Sequence, residues 1–165
     1  MRKRILGAIA LTLALNGLAL AWPTGLNSIP IADVLGHREL YVFYGFSGTE
    51  RSISRETFHT SSIQVGIGDR LEVGYDDDLR GFGEGNIKLN LHSGKNYGLS
   101  AGLMSIGQGT AQKYVVGTYA IGESARIHAG WLDDGTNRWM AGYDMAIGEH
   151  GTLMIDTVSG NDSYS

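Results

Sequence analysis

Five histidines, several clustered acids and one group of closely spaced glycines are the residues of this chain whose types invite a chemical reading. His128 lies two positions from Arg126, and period-two alternation puts Asp144 on the same face of the strand that follows. A hydroxyl beside a His–Asp pair can become a nucleophile, because the imidazole takes its proton while the carboxylate orients the ring. Ser100 falls on the matching face, and His92 is a second candidate base. No G-x-S-x-G segment accompanies them. The competing reading is a network of polar and ionised side chains lining the inside of a barrel. That reading is adopted, with Lys88, Asn90, Arg126, His128, Asp144 and Asp156 expected to line the lumen and no catalytic residue assigned.

The remaining motifs carry less. Asp76-Asp77-Asp78 and Asp133-Asp134-Gly135-Thr136-Asn137 offer oxygen ligands of the kind Ca²⁺ takes, but the spacing of a calcium loop is not met. Asp, Asn and Gly favour tight turns on their own account. Gly81-Phe82-Gly83-Glu84-Gly85 is followed by a strand pattern, whereas a phosphate-binding glycine loop opens a helix. Asn161-Asp162-Ser163 matches a glycosylation acceptor pattern and is set aside. No metal and no cofactor is assigned.

The elements that must position these groups are strands. Ile87, Leu89 and Leu91 alternate with Lys88, Asn90 and His92; Ala125, Ile127, Ala129 and Trp131 alternate with Arg126, His128 and Gly130. Such alternation marks strands with one apolar face. It predicts nine, at about 39–46, 60–68, 70–77, 85–92, 97–106, 113–121, 124–132, 138–147 and 151–158. The connections between them alternate long and short, beginning with a long one at 47–59. The face opposite the apolar one is rich in glycine: Gly66, Gly68, Gly74, Gly98, Gly102, Gly130 and Gly142. Glycine weakens a solvent-facing strand, but small residues suit the crowded inside of a narrow barrel. Tyr75, Tyr97, Tyr119, Trp131, Trp139 and Tyr143 belong to the apolar face, several near strand ends, as in the aromatic girdles of membrane barrels.

The N-terminal region has a different character. Met1-Arg2-Lys3-Arg4 precedes an apolar run from Ile5 to about Leu15, then small residues up to Ala21, the plan of a secretory signal peptide spanning 1–21. Residues 22–38 form a lead-in, in which Ser28–Leu35 is expected to make one helical turn stopped by Gly36. A small plug is the sharper possibility for this segment. Residues 39–165 form the barrel domain. Three of the 13 basic residues leave with the signal and all 17 acids stay, so the net charge moves from −4 to −7. An acidic chain lacks the basic footprint of a nucleic-acid binder. With no cysteine there is neither a disulfide framework nor a thiolate metal site.

Together the signal, Pro23-Thr24-Gly25-Leu26 with Ile29-Pro30-Ile31-Ala32-Asp33 ahead of the first strand, and the strand–turn rhythm over 39–158 resemble bacterial outer-membrane, porin-like β-barrel proteins in general architecture. The expected fold is an all-β antiparallel up-and-down meander closing as a transmembrane barrel of about 8–10 strands. An odd strand count and the polar, turn-like 159–165 lead us to expect a barrel incomplete on its C-terminal side. The resemblance implies an outer-membrane location, lipid as the partner, a small solute as a candidate cargo, and a structural or porin-like role. The alternatives are a lipid-modifying barrel enzyme using His128 or His92, and a soluble periplasmic or secreted binding module.

Overall fold

The computed structural model describes residues 25, 26, 28–49, 52–78, 81–107, 109–148 and 151–160. The expected signal peptide lies outside them. The described chain is an all-β antiparallel meander: β1 (Leu40–Thr49), β2 (Ser52–Ile67), β3 (Leu71–Asp77), β4 (Gly83–Ser93), β5 (Tyr97–Ile106), β6 (Gln112–Ile121), β7 (Ala125–Asp133), β8 (Asn137–Ile147) and β9 (Gly151–Val158). They form one sheet in chain order, and its two edges, β1 and β9, are not paired to each other. The sheet is therefore open, and the expected closure of the barrel is not seen.

All nine expected strands are present. The first connection differs: residues 47–49 and 52–59, expected as a long loop, belong to β1 and β2 and pair from Ser47↔Phe58 to Gly48↔Thr57. The stretch Ser52–Thr57 has no apolar alternation, so period two is silent there; Ser52 pairs with Thr49 and Thr57 with Gly48. The rhythm of long and short connections fades accordingly. Residues 78–82 and 107–111 are longer than 68–70, 94–96, 122–124 and 148–150, but 134–136 is as short as these.

Two left-handed positions make the turn at 68–70. Gly68 (φ 63°) and Asp69 (φ 58°) reverse the chain between β2 and β3. Glycine reaches this region at no steric cost, and Asp is among the few other residues that tolerate it.

The faces are inverted relative to a protein that folds around an oily centre. Among the described residues, fourteen buried side chains are polar or charged and seven are hydrophobic. Buried are Gln64, Glu72, Asp76, Asn86, Lys88, Asn90, Ser100, Thr118, His128, Asp144 and Asp156; exposed are Val42, Ile63, Val65, Val73, Leu89, Leu99, Leu103, Ile127, Leu153 and Ile155. Strand alternation places the first set on one face, here the covered face, and the second on the other, the open face.

The apolar band on the open face runs diagonally. Leu40 pairs with Val65, Val65 with Val73, Val73 with Ile87 and Ile87 with Leu103, but Leu103 pairs with Lys113 and Lys113 with Asp133. From the other edge, Ile155 pairs with Tyr143, then Ile127, Tyr119 and Tyr97. Following the register across the sheet thus leads out of the band. That drift is the stagger expected where strands tilt across a band of fixed height.

Candidate functional site

The covered face is covered by the lead-in. Residues 25, 26 and 28–36 lie across the strands, and Ile29, Pro30 and Ala32 are buried. The expected helical turn over Ser28–Leu35 is absent. Backbone groups of Ser28, Ala32 and Leu35 bond to sheet side chains, Ile29 C=O accepts from Leu26 N–H, and Pro30 has no N–H to offer. Ser28 N–H donates to Asp156 Oδ2 on β9 (2.6 Å). Ala32 N–H donates to Thr118 Oγ1 on β6 (3.0 Å), and Ala32 C=O accepts from Asn90 Nδ2 on β4 (3.1 Å) and from Ser100 Oγ on β5. Leu35 N–H donates to Glu72 Oε2 on β3 (3.1 Å). Beyond it, His37 N–H reaches Asp69 Oδ1 (2.6 Å) and Arg38 N–H reaches Gly66 C=O (2.8 Å), delivering the chain into β1.

These contacts suit a curled sheet. Strands stand ~4.8 Å apart, so β3 and β9, six spacings apart, would be about 29 Å apart if flat, yet one short segment touches both.

The glycines of the covered face make this possible. A Cβ on Gly66 would fall on the carbonyl oxygens of Leu35 and Gly36, and one on Gly98 would lie 3.2 Å from Ala32 Cβ. On Gly142 it would lie 2.5 Å from Leu26 Cδ1 and 2.8 Å from Ile29 Cδ1. Elsewhere the space serves neighbouring side chains: Gly74 lies between Gln64 and Asn86, Gly102 under the Tyr114 ring, and Gly130 under Met140. Gly68, expected in this set, is in the turn instead, with open space around it. Gly66→Ala is expected to destabilise the protein by about 1–3 kcal/mol, because its methyl meets backbone rather than a yielding side chain. Urea unfolding followed by tryptophan fluorescence measures it, and an unchanged midpoint would remove the close approach.

All six residues expected to line a lumen are on the covered face. Lys88, Asn90, His128, Asp144 and Asp156 are buried and Arg126 is half-buried. The structure brings four of them into two groups. Arg126 grips Asp144 through Nε (3.0 and 3.2 Å) and Nη2 (2.5 Å), and its Nη1 reaches Asp33 of the lead-in. His128 Nε2 lies 3.5 Å from Asp144 Oδ2, and its Nδ1 lies 2.8 Å from Thr118 Oγ1. Lys88 instead pairs with Glu72 at 3.4 Å, both side chains fully buried. Asn90 and Asp156 hold the lead-in.

A hydroxyl–imidazole–carboxylate row therefore exists, but its hydroxyl is Thr118 and not Ser100. Thr118 Oγ1 and His128 Nδ1 share a hydrogen bond whose direction follows the imidazole tautomer, and Nε2, though it faces Asp144, makes no hydrogen bond among the described residues. Thr118 Oγ1 also accepts the Ala32 N–H. Thr118 thus bonds the imidazole and the lead-in at once, and His128 is fully buried. With the lead-in seated, the row works as a tether.

The other motifs resolve as turns and ring contacts. Asp133 Oδ1 and Asp134 Oδ1 accept from Gly135 N–H and Thr136 N–H, both at 3.1 Å, and Asp134 pairs with Arg138 at 2.8 Å. Asp78 Oδ1 accepts from Phe82 N–H (3.1 Å), closing the loop that carries Gly81. Asp76 is buried and accepts from Asn86 Nδ2 at 2.5 Å. His92 is exposed and stacks on Tyr97, ring centroids 4.5 Å apart. Among the described residues no group of three His, Cys, Asp or Glu is placed to hold a metal ion.

Alternation did not announce an apolar cluster on the covered face: Met104, Tyr114, Val116, Leu132 and Met140, packed with Ile29 and flanked by Leu26 and Val158. A signal existed in Tyr114-Val115-Val116, Trp131-Leu132 and Trp139-Met140, where adjacent apolar residues must face opposite ways. The covered face is thus polar on β2–β4 and mixed over β5–β8, where this cluster, with Leu26 and Ile29 of the lead-in against it, lies beside Ser100, Thr118, His128 and Asp144.

Comparison with protein-family models, curated proteins and solved structures finds no match to this chain.

Proposed function

We propose that this protein is an outer-membrane β-barrel protein with a structural or porin-like role, its open face against lipid and its covered face inward. The observation that carries this reading is the inversion of the faces. A continuous exposed apolar surface of this extent marks a membrane or partner interface, and here its reverse is lined by buried charge. Strand lengths agree: β4 to β8 have 11, 10, 10, 9 and 11 residues, against the 9–11 that cross a bilayer at a tilt.

The aromatics support the same reading. Tyr97 and Tyr119 sit near the 94–96 and 122–124 turns, and Tyr75, Trp131 and Trp139 near the opposite ends of their strands, all exposed. Two rims of Tyr and Trp around an aliphatic band are what two lipid–water interfaces select. No described helix is long and apolar enough to cross a membrane, so a crossing would be made by strands.

The chain from residue 22 onward, refolded into detergent micelles, is expected to migrate differently on a gel before and after boiling, as a closed, detergent-stable barrel does. A soluble monomer in detergent-free buffer, with no such shift, would overturn the proposal and favour a soluble binding module.

A further inference from the structure

We infer that residues 25–36 are a releasable plug, and that its release opens a cation-preferring path along the covered face. The inference rests on the membrane reading above. The way the segment is held carries it. Apart from the bridge between Gly25 and Pro30, which lies within the segment, it joins no strand ladder. Its backbone ties to the sheet run from Ser28, Ala32 and Leu35 to the side chains of Asp156, Thr118, Asn90, Ser100 and Glu72. Such a segment can leave as a unit without breaking a strand pairing. Water can hydrate both sets of polar groups once it has gone, so leaving strands none of them in a dry interior.

The ion pair at the margin is the exposed handle. The Arg126 and Asp33 side chains that meet there are 36% and 55% exposed, so salt screens this tie far more than it screens the buried ones. Release would carry Asp33 away and take Leu26 and Ile29 out of the apolar cluster. It would leave the acids Glu72, Asp76, Asp144 and Asp156 facing the bases Lys88 and Arg126. That excess of acid raises the local concentration of cations over anions.

A disulfide tests this in the full chain, which has no cysteine of its own. A Cβ built on Gly98 lies 3.2 Å from Ala32 Cβ, within a few tenths of an ångström of the separation a disulfide needs. Ala32→Cys/Gly98→Cys would be reconstituted in phospholipid vesicles and planar bilayers, with insertion read in the same sample by flotation and heat-modifiability. The expected result is little conductance when oxidised and at least a tenfold rise on reduction in 1 M KCl. The reversal potential in a KCl gradient should lie on the K⁺ side.

The single variant Ala32→Cys supplies a measurement that needs no disulfide. Its thiol, buried while the plug is seated, should react with a water-soluble maleimide faster in high salt. Inserted protein whose conductance ignores the disulfide, or whose single introduced thiol stays unreactive until unfolding, overturns the plug and leaves the membrane reading standing. An anion preference overturns the charge argument. Failure to insert, in the variants and in the parent chain alike, overturns both readings.

Discussion

Lys88→Met is expected to destabilise the protein by about 3–5 kcal/mol, the usual range for removing one partner of a buried ion pair. Both side chains of the Lys88–Glu72 pair are fully buried. The substitution keeps much of the lysine's bulk and takes away the ammonium that faces the Glu72 carboxylate, whose charge then stays in a place water does not reach. The damage should extend to the lead-in, because Glu72 Oε2 also accepts the Leu35 N–H.

The double variant Glu72→Gln/Lys88→Met separates charge from shape. Gln keeps an oxygen for Leu35 and carries no charge, so most of the lost stability should return, leaving the double variant within about 1–2 kcal/mol of the parent. Neutral replacement of a buried pair is often tolerated where removal of one partner is not. Urea unfolding of the four proteins, followed by tryptophan fluorescence, gives the cycle. A single variant as stable as the parent would mean that water reaches this pair.

Leu89→Arg should be the most damaging change on the open face. Leu89 lies near the middle of β4, exposed, with Ile87 and Leu91 on either side of it on the same face. Under the proposed function it faces hydrocarbon, where an arginine near the bilayer midplane costs about 2–4 kcal/mol. Ile147, the last residue of β8, is also exposed but adjoins the 148–150 turn. Ile147→Arg should therefore cost only about 0–1 kcal/mol, the value near an interface. The gradient between the two is the informative quantity, read as the folded fraction in lipid vesicles across a urea series. In a water-soluble sheet both are surface substitutions, expected within about 0.5 kcal/mol of the parent. Equal, near-zero effects would thus argue against a lipid-facing surface.

Much of this architecture was legible because one period governs it. Alternation located all nine strands and put Lys88, Asn90, Arg126, His128, Asp144 and Asp156 on one face, where the structure has them. The glycine-rich face was legible as well, although its use was not. Gly66, Gly98 and Gly142 make room for a segment that comes from a distant part of the chain, and no local pattern encodes such a crossing.

The same reason explains the missed partners. Thr118 is an ordinary strand residue until Ala32 is laid against it, and Glu72 gives no sign of its pairing with Lys88, which follows from the register of β3 and β4. Ser52–Thr57 lacks the hydrophobic alternation that reveals a strand in sequence, yet it belongs to β2. The lead-in's helical turn failed for a related reason. A short stretch with weak local preference takes the hydrogen bonds its surroundings offer.

The path of the lead-in also orders events in time. Ser28 meets Asp156 across 128 positions of sequence and Ala32 meets Ser100 across 68, whereas each hairpin pairs near neighbours. Contacts between near neighbours close small loops and form early; those between remote positions wait on a larger entropic cost. The segment leading into β1 therefore precedes every strand in the chain and is expected among the last parts to find its place. Its seat does not exist until β9 has joined the sheet. Full docking of the lead-in therefore requires every strand from β3 to β9 to be in place.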